Sequence, residues 1–444
     1  MIYITVFFLS TLCFVLSENK KLHNKALKWI LVIVGLLFPA VLAGLRGVDI
    51  GTDVRTYAVS AYQKARTFPF WTYLHYYKNS LSYNGALIYD QLFYILVFFC
   101  SRICYDYHFG LFVYNFITVL FWYLGLSRCV KLYHMDCMSI AMGMLAFYFL
   151  LYNPSLCYMR MMIAVSLLFY AATFLLEDKY WLYIIWSVIA FFFHSSALLS
   201  AGIFVLYVFF KRKQNDRIGK DLLKIGISLL GVVAVLLCSK MLVTALVDVG
   251  ILRENYLEYF SGGAYSESSP FYTLISLINA IGESIFTFKV NQMFCLCVAA
   301  VVCYPYIRKM NHSTLFLLSC ALFNLIVAFS SIITDDLIRI CYYFIPLILV
   351  DYLLVLEQLK HDQRLFFRIG SGETLLVLEP VKHDQRETFF VVMVIGFIAL
   401  AIFWWWFDYG YTGALNTVPY HFYTNFKEDY EWWKWTIGQT GMLT

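Results

Sequence analysis

The sequence predicts an all-α fold, a polytopic bundle of membrane-spanning helices, and three observations carry that expectation. Of the 444 residues, 61% are hydrophobic and 14% charged, where a soluble globular domain carries about 25% charged residues. Mean hydropathy is +0.71. Apolar runs of about 17–25 residues, the length that crosses a hydrocarbon core, recur from one end of the chain to the other.

Taken in order, the runs at 2–17, 28–45, 109–126, 137–153, 158–176, 180–193, 195–210, 222–248, 292–307, 313–332, 338–357 and 389–407 make about 12 expected spans in a single integral membrane domain, 1–444. The first has no basic segment before it and no small-residue cleavage site after it, so it reads as a membrane helix and not as a signal peptide. The runs 180–193 and 195–210 form one apolar stretch broken only at His194-Ser195-Ser196, which predicts two short helices meeting at His194. Residues 88–105 are also apolar. They read as a re-entrant or interface-lying helix, because a crossing there would break the alternation of the loops; the alternative is a thirteenth span with a different N-terminal orientation. The segment 270–287 has an amphipathic, interfacial character.

Orientation follows from the basic loops. Lys20, Lys21, Lys25 and Lys28 follow the first span, Arg128 and Lys131 lie in 127–136, Lys211, Arg212, Lys213, Arg217 and Lys220 in 211–220, and Arg308-Lys309 after the ninth. Placing these loops in the cytoplasm fits twelve spans with both termini outside. The net charge of +5 is then topological and carries no argument for nucleic acid. The external segments are 46–87, 249–291 and the tail 408–444. The cytoplasmic loop 358–388 carries a duplicated segment: Leu353 to Arg364 recurs as Leu375 to Arg386, offset by 22 residues. Two copies do not build a solenoid, and this region is assigned no chemistry.

Several classes are excluded by what the chain lacks. There is no G-x-x-x-x-G-K-[ST], no strand-linked G-x-G-x-x-G and no G-x-S-x-G, so no nucleotide-driven pump or serine hydrolase is expected. The 12 cysteines fall mostly in apolar runs, as small hydrophobes. None has zinc-ligand spacing, so neither a metal, a cofactor nor a disulfide framework is expected.

Ionisable groups at membrane depth are the candidates for function. The first group, Arg46-Gly47-Val48-Asp49-Ile50-Gly51-Thr52-Asp53-Val54-Arg55-Thr56-Tyr57, follows the second span. Its arginines could hold phosphate or carboxylate, and its aspartates could orient a sugar hydroxyl or act as a base. A membrane-edge loop whose Arg and Asp pair with each other fits equally well. The second is Arg160 at the start of an apolar helix, read either as an anion ligand or as a snorkelling side chain. The third is His194, read as a packing residue or, if it lines a cavity, as a proton-transfer group. The fourth is Asp335-Asp336-Leu337-Ile338-Arg339 followed by Tyr342-Tyr343, where an Asp and Arg339 share a helical face.

The order of these groups resembles the EpsG/Wzy superfamily of multi-spanning polysaccharide polymerases. The landmarks are an Arg-Gly…Gly-Thr-Asp…Tyr block at Arg46 to Tyr57 and a Tyr-x-Arg helix start at Tyr158 to Arg160. A Phe-Phe-His-Ser-Ser-Ala corner follows around His194, then Asp-x-x-Arg…Tyr at Asp336 to Tyr343, and Pro419-Tyr420 near the end. The usual Glu-Pro-Gly-Phe stretch is replaced by Tyr89-Asp90-Gln91-Leu92, and Asp49 is an addition. The resemblance implies a metal-independent glycosyltransferase on the periplasmic face of the bacterial inner membrane. Its donor would be a glycan on undecaprenyl pyrophosphate and its acceptor a single lipid-linked repeat unit. The lipid bilayer and a separate chain-length regulator would be its partners. Arg46, Arg55, Arg160 and Arg339 would clamp pyrophosphate, with Tyr57 and Tyr420 near the sugar. His194, Asp49, Asp53, Asp335 or Asp336 would be the base. A flippase for the same unit, the ligase that moves finished glycan onto lipid A core, and an acyltransferase are the rival readings.

Overall fold

The computed structural model describes residues 2–19, 22–47, 53–79, 90–210, 239–249 and 342–361, with single positions at 227 and 230. Among these residues the chain is helical and contains no strand. The helices are α1 (Ile2–Ser17), α2 (Lys25–Gly44), α3 (Ala61–Thr67), α4 (Phe70–Lys78), α5 (Gln91–Ile103), α6 (Tyr107–Leu132) and α7 (Cys137–Leu150). They continue with α8 (Tyr152–Cys157), α9 (Met159–Leu176), α10 (Tyr180–Phe193), α11 (Leu199–Phe210), α12 (Ser239–Asp248) and α13 (Ile345–His361). A π-helical turn, Val54–Ser60, precedes α3, and a 3-10 turn, Ser195–Leu198, joins α10 to α11. Among the described residues, α2, α6 and α9 are each long and apolar enough to cross a membrane. The expected spans at 292–307, 313–332 and 389–407, most of 222–248, and the interfacial segment 270–287 lie outside the described residues.

The α1–α2 hairpin shows how polar side chains serve an apolar bundle. Asn24 caps α2, its Oδ1 accepting from the amides of Ala26 at 3.0 Å and Leu27 at 3.2 Å. Inside α2, Pro39 has no N–H to give the carbonyl four residues back, that of Gly35. Lipid offers no replacement donor. Ser10 of α1 supplies it, its Oγ donating to Gly35 O at 2.6 Å while hydrogen-bonded to Tyr148 OH at 2.5 Å. Tyr148 stacks on Phe7, and Tyr152 OH donates to Pro39 O at 2.7 Å. Pro39 thereby fixes α1, α2 and the α7–α8 junction together.

A second departure from regularity lies at 137–153. That run, expected as one span, is not one helix: α7 stops at Leu150, Leu151 takes φ −121° and ψ −12°, and α8 runs on to Cys157. Pro154 is the physical reason, since its ring removes the bond that would have closed on Leu150 O. Helix α9 then starts where expected. Helix α6 lies at the centre, against α2, α7 and α9. Glycines set the close approaches: a Cβ on Gly125 would lie 2.8 Å from Phe169 Cδ1, and one on Gly143 2.5 Å from Leu126 Cδ2.

Two ends of the bundle are distinguishable. At one, Glu18 Oε1 accepts from Tyr123 OH at 2.9 Å and Ser127 Oγ at 3.1 Å, and Arg128 pairs with Glu177 at 2.6 Å. The basic loop after α1 and the one after α6 therefore share an end. At the other, Gly44 closes α2 directly against the first turns of α6, where an added Cβ would stand 2.9 Å from Phe112 Cβ and 3.3 Å from His108 O. The chain leaves α2 and re-enters α6 at that same end. Between them α5 has 13 residues, about 20 Å of helix, short of a hydrocarbon core of about 30 Å.

Candidate functional site

The site is built around the start of α9. Tyr158 breaks the helical path between α8 and α9 with φ −118° and ψ 57°, and the next turn carries Arg160. Arg160 is 6% exposed, so it does not snorkel to water. Its Nη1 donates to Asp90 Oδ2 at 2.5 Å, and its guanidinium lies over the ring of Tyr57, 3.4 Å from the centroid. One face of the guanidinium is therefore covered by an aromatic ring and one edge is held by a carboxylate, a geometry available to Arg and not to Lys.

Asp90 holds two elements at once. It precedes α5 in the left-handed region, φ 37° and ψ 44°, and is 1% exposed. Asp tolerates that region better than most residues. Its Oδ2 takes Arg160, and its Oδ1 accepts from the backbone amide of Ser195 at 3.3 Å. The corner after α10 is thus tied to α9 through one side chain. At that corner His194 leaves the helix with extended backbone, φ −157° and ψ 127°. Its Nδ1 is 2.6 Å from Ser196 Oγ and 3.3 Å from the Ser196 amide nitrogen, and Ser196 Oγ is 2.7 Å from Tyr343 OH.

Arg46 approaches from the end of α2. It is 1% exposed, and its Nη2 donates to Leu156 O at 3.1 Å and lies 3.5 Å from Met159 Sδ. Tyr342, beside Tyr343, sits 6.5 Å from Tyr158 between ring centroids. The α8–α9 junction therefore gathers Arg46, Tyr57, Asp90, Arg160, His194, Ser196 and Tyr343 from six separate segments. Among these groups Arg46 and Arg160 are cations and Asp90 is an anion, and Asp90 pairs with Arg160. Two guanidinium groups at one buried junction suit an anion with separated oxygens.

Four of the expected site residues meet here: Arg46, Tyr57, Arg160 and His194. Asp53 lies at the N-terminal edge of the π-helical turn, half-buried, and Arg55 lies within that turn. Asp49, Asp335, Asp336, Arg339 and Tyr420 lie outside the described residues. The snorkelling reading of Arg160 is corrected by its burial and its partner.

Sequence reasoning assigns no role to Asp90, Ser196 or Tyr343. For Asp90 a signal exists: an acid directly before the apolar run of α5 is as unusual as Arg160 in the first turn of α9. Ser196 and Tyr343 stand in the landmarks around His194 and after Arg339, but their partnership is not legible there, because only the fold puts residues 147 positions apart within hydrogen-bond reach. The span at 338–357 also buries Asp351 completely, with neither carboxylate oxygen hydrogen-bonded. Among the described residues no three His, Cys, Asp or Glu side chains stand together as a metal-ligand group.

A model of the EpsG family matches residues 28–370, well over half of the chain and all of the described site. No curated protein and no solved structure matches.

Proposed function

The chain belongs to the EpsG family, that of Wzy-type polymerases, and on that premise we propose that it polymerises undecaprenyl-pyrophosphate-linked oligosaccharide units into O-antigen or a related surface polysaccharide. The reaction is glycosyl transfer on the periplasmic face of the bacterial inner membrane. The growing glycan on undecaprenyl pyrophosphate is the donor and a single lipid-linked repeat unit the acceptor, and no metal takes part. One observation supports the reading: two buried arginines, Arg46 and Arg160, separated by more than 100 residues, converge on one junction.

The chemistry follows from that placement. The acceptor hydroxyl oxygen bonds to the anomeric carbon as the bond from that carbon to the pyrophosphate oxygen breaks. Negative charge grows on the pyrophosphate, and fixed guanidinium groups in a water-poor site stabilise it at that moment. Arg46 and Arg160 do this from the described residues, with Arg55 and Arg339 as further members. Tyr57 orients Arg160, and Tyr420 adds to the sugar side. The proton of the acceptor hydroxyl passes to a base, with His194, Asp49, Asp53, Asp335 and Asp336 as candidates. A chain-length regulator is the partner that sets how many cycles occur.

The test is a gel of the surface glycan from a deletion strain, complemented with the wild type or with Arg160→Ala. A core carrying one repeat unit in the deletion, returned to a ladder by wild type alone, supports the polymerase. A naked core in the deletion points to a flippase or a ligase. A normal ladder removes glycan assembly from the reading.

A further inference from the structure

The geometry of α3 to α5 points to a second surface, apart from the transfer site: the face that carries Lys64, Arg66, Arg102 and Trp71 docks on the headgroups of anionic phospholipids.

The three helices have 7, 9 and 13 residues, each short of the about 20 that a crossing needs. They lie between the end of α2 and the start of α6, which meet at the end of the bundle opposite Glu18, Arg128 and Glu177. The basic loops after α1 and α6 belong to that opposite end. Orientation by positive charge therefore does not account for cations here. From Ala61 to Tyr105 the chain has Lys64, Arg66, Lys78 and Arg102 against one acid, Asp90, and Asp90 is taken by Arg160. Among the described residues, Lys64, Arg66 and Arg102 have no carboxylate partner.

Other groups hold the three cations in place. Lys64 Nζ donates to Tyr76 OH at 2.7 Å and lies 4.3 Å from the centroid of that ring. The Arg66 guanidinium lies over Tyr105, 3.4 Å from its centroid. Arg102 Nη2 donates to Ala65 O at 3.2 Å and Phe68 O at 3.0 Å, at the C-terminal end of α3. None of these contacts supplies a formal negative charge.

Large apolar side chains face outward beside them. Trp71 is 78% exposed, Phe99 56%, Ile103 74% and Tyr105 74%. They join into one strip. The ring of Phe70 lies 5.0 Å from Trp71 and 6.3 Å from Phe99, and Ile103 follows Phe99 by about one turn of α5. Arg102 lies 4.8 Å from the ring of Phe98, itself 5.0 Å from Phe70. Exposed rings interleaved with cations suit the boundary between acyl chains and headgroups, where the rings enter the apolar side and the cations meet phosphate. An excess of cations selects lipids of net negative charge, and an arginine fork can take two phosphate oxygens. An acidic glycan would satisfy the cations but leave Trp71 and Ile103 in water, so the apolar strip favours the lipid.

The test places the full-length protein in phosphatidylcholine nanodiscs that hold the same small share of either brominated phosphatidylglycerol or brominated phosphatidylcholine. It reads the quenching of Trp71, identified by its loss in Trp71→Phe. Quenching by the phosphatidylglycerol should be the stronger. Lys64→Gln, Arg66→Gln and Arg102→Gln should each lower that preference by up to about fivefold, the size of one cation near anionic lipid. Lys131→Gln, at the opposite end, should leave it unchanged. The melt of each variant in detergent checks its fold. A second reading uses the wild type alone and survives any folding defect: the preference should collapse at about 1 M salt, where the Debye length is about 3 Å.

Equal quenching by both lipids at low salt would make the face an ordinary lipid contact and overturn the inference. Quenching by neither lipid would overturn it as well. Trp71 would then be open to acrylamide if the face stands in water, and shielded if a glycan or another protein covers it. An equal loss of preference in Lys131→Gln would trace it to overall charge, and the inference would fall.

Discussion

Asp90 and Arg160, 70 residues apart in sequence, meet at 2.5 Å with both side chains buried. Neither could be buried alone without a large desolvation penalty. Their pairing lets a cation stand at membrane depth in a fixed orientation, against Tyr57 on one side and close to the His194 corner on the other. Removing either partner leaves a buried charge uncompensated, which in other buried pairs costs about 3–5 kcal/mol. Asp90→Ala and Arg160→Ala are expected to lower the detergent melting temperature and abolish the ladder. Asp90→Glu should recover part of the ladder and Asp90→Asn less, because only Glu restores the charge. Equal ladders from all three Asp90 variants would show that Arg160 does not depend on Asp90.

Arg46 is oriented by a backbone carbonyl and a thioether. As part of the pyrophosphate clamp, its contribution should fall mainly on the transition state. Arg46→Lys keeps the charge but loses the planar fork. We expect transfer to drop by about 10²-fold, the scale for one charge-stabilising donor, with little change in melting temperature. A drop in apparent affinity for the lipid-linked unit at unchanged maximal rate would instead make Arg46 a ground-state binding residue.

The Pro39 defect gives a prediction away from the site. Ser10→Ala removes the donor to Gly35 O and should destabilise the bundle by about 1–3 kcal/mol, read as a lower melt with a normal ladder length. Pro39→Ala restores the missing amide. In the Ser10→Ala/Pro39→Ala double variant, the loss caused by Ser10→Ala should shrink. Strict additivity of the two changes would show that Ser10 is not serving that carbonyl.

Asp106 caps α6, its Oδ1 accepting from the His108 amide at 3.0 Å and standing 2.6 Å from His108 Nδ1. Burial pushes this carboxyl upward, but the side-chain and backbone hydrogen bonds of His108 outweigh it and hold it below the ordinary carboxylate value. A lowered folded-state value means a contribution that is complete above the unfolded pKa of about 3.9 and lost as pH falls through the folded one. Asp106→Ala should cost about 1 kcal/mol near neutral pH, and the gap to wild type should close on acidification below pH about 4. A gap that does not change down to that range would assign the effect to packing.

Much of the site is legible in the sequence because charge in an apolar chain is conspicuous. Arg46, Arg160 and His194 stand out in surroundings where ionisable groups are costly, and Tyr57 lies in the first of those clusters. The break at His194 is legible too, since the apolar run is too short for two ordinary crossings and too long for one. Asp90 is visible by the same rule, but it sits where the chain departs from the family pattern, which draws attention away from its charge. The split of the 137–153 run follows only when Pro154 is weighed against the length of that run.

The sequence by itself determined that this chain is helical, lives in lipid and belongs among the EpsG-type polymerases, because hydropathy, charge spacing and motif order are one-dimensional properties. Only the tertiary structure decided which ionisable groups meet. Arg160 pairs with Asp90 and not with a neighbour in its own helix, Ser10 serves a carbonyl 25 residues away, and Tyr343 reaches Ser196 across 147 positions. In lipid every buried polar group must find a partner within the protein, and which partner it finds depends on how helices distant in sequence pack.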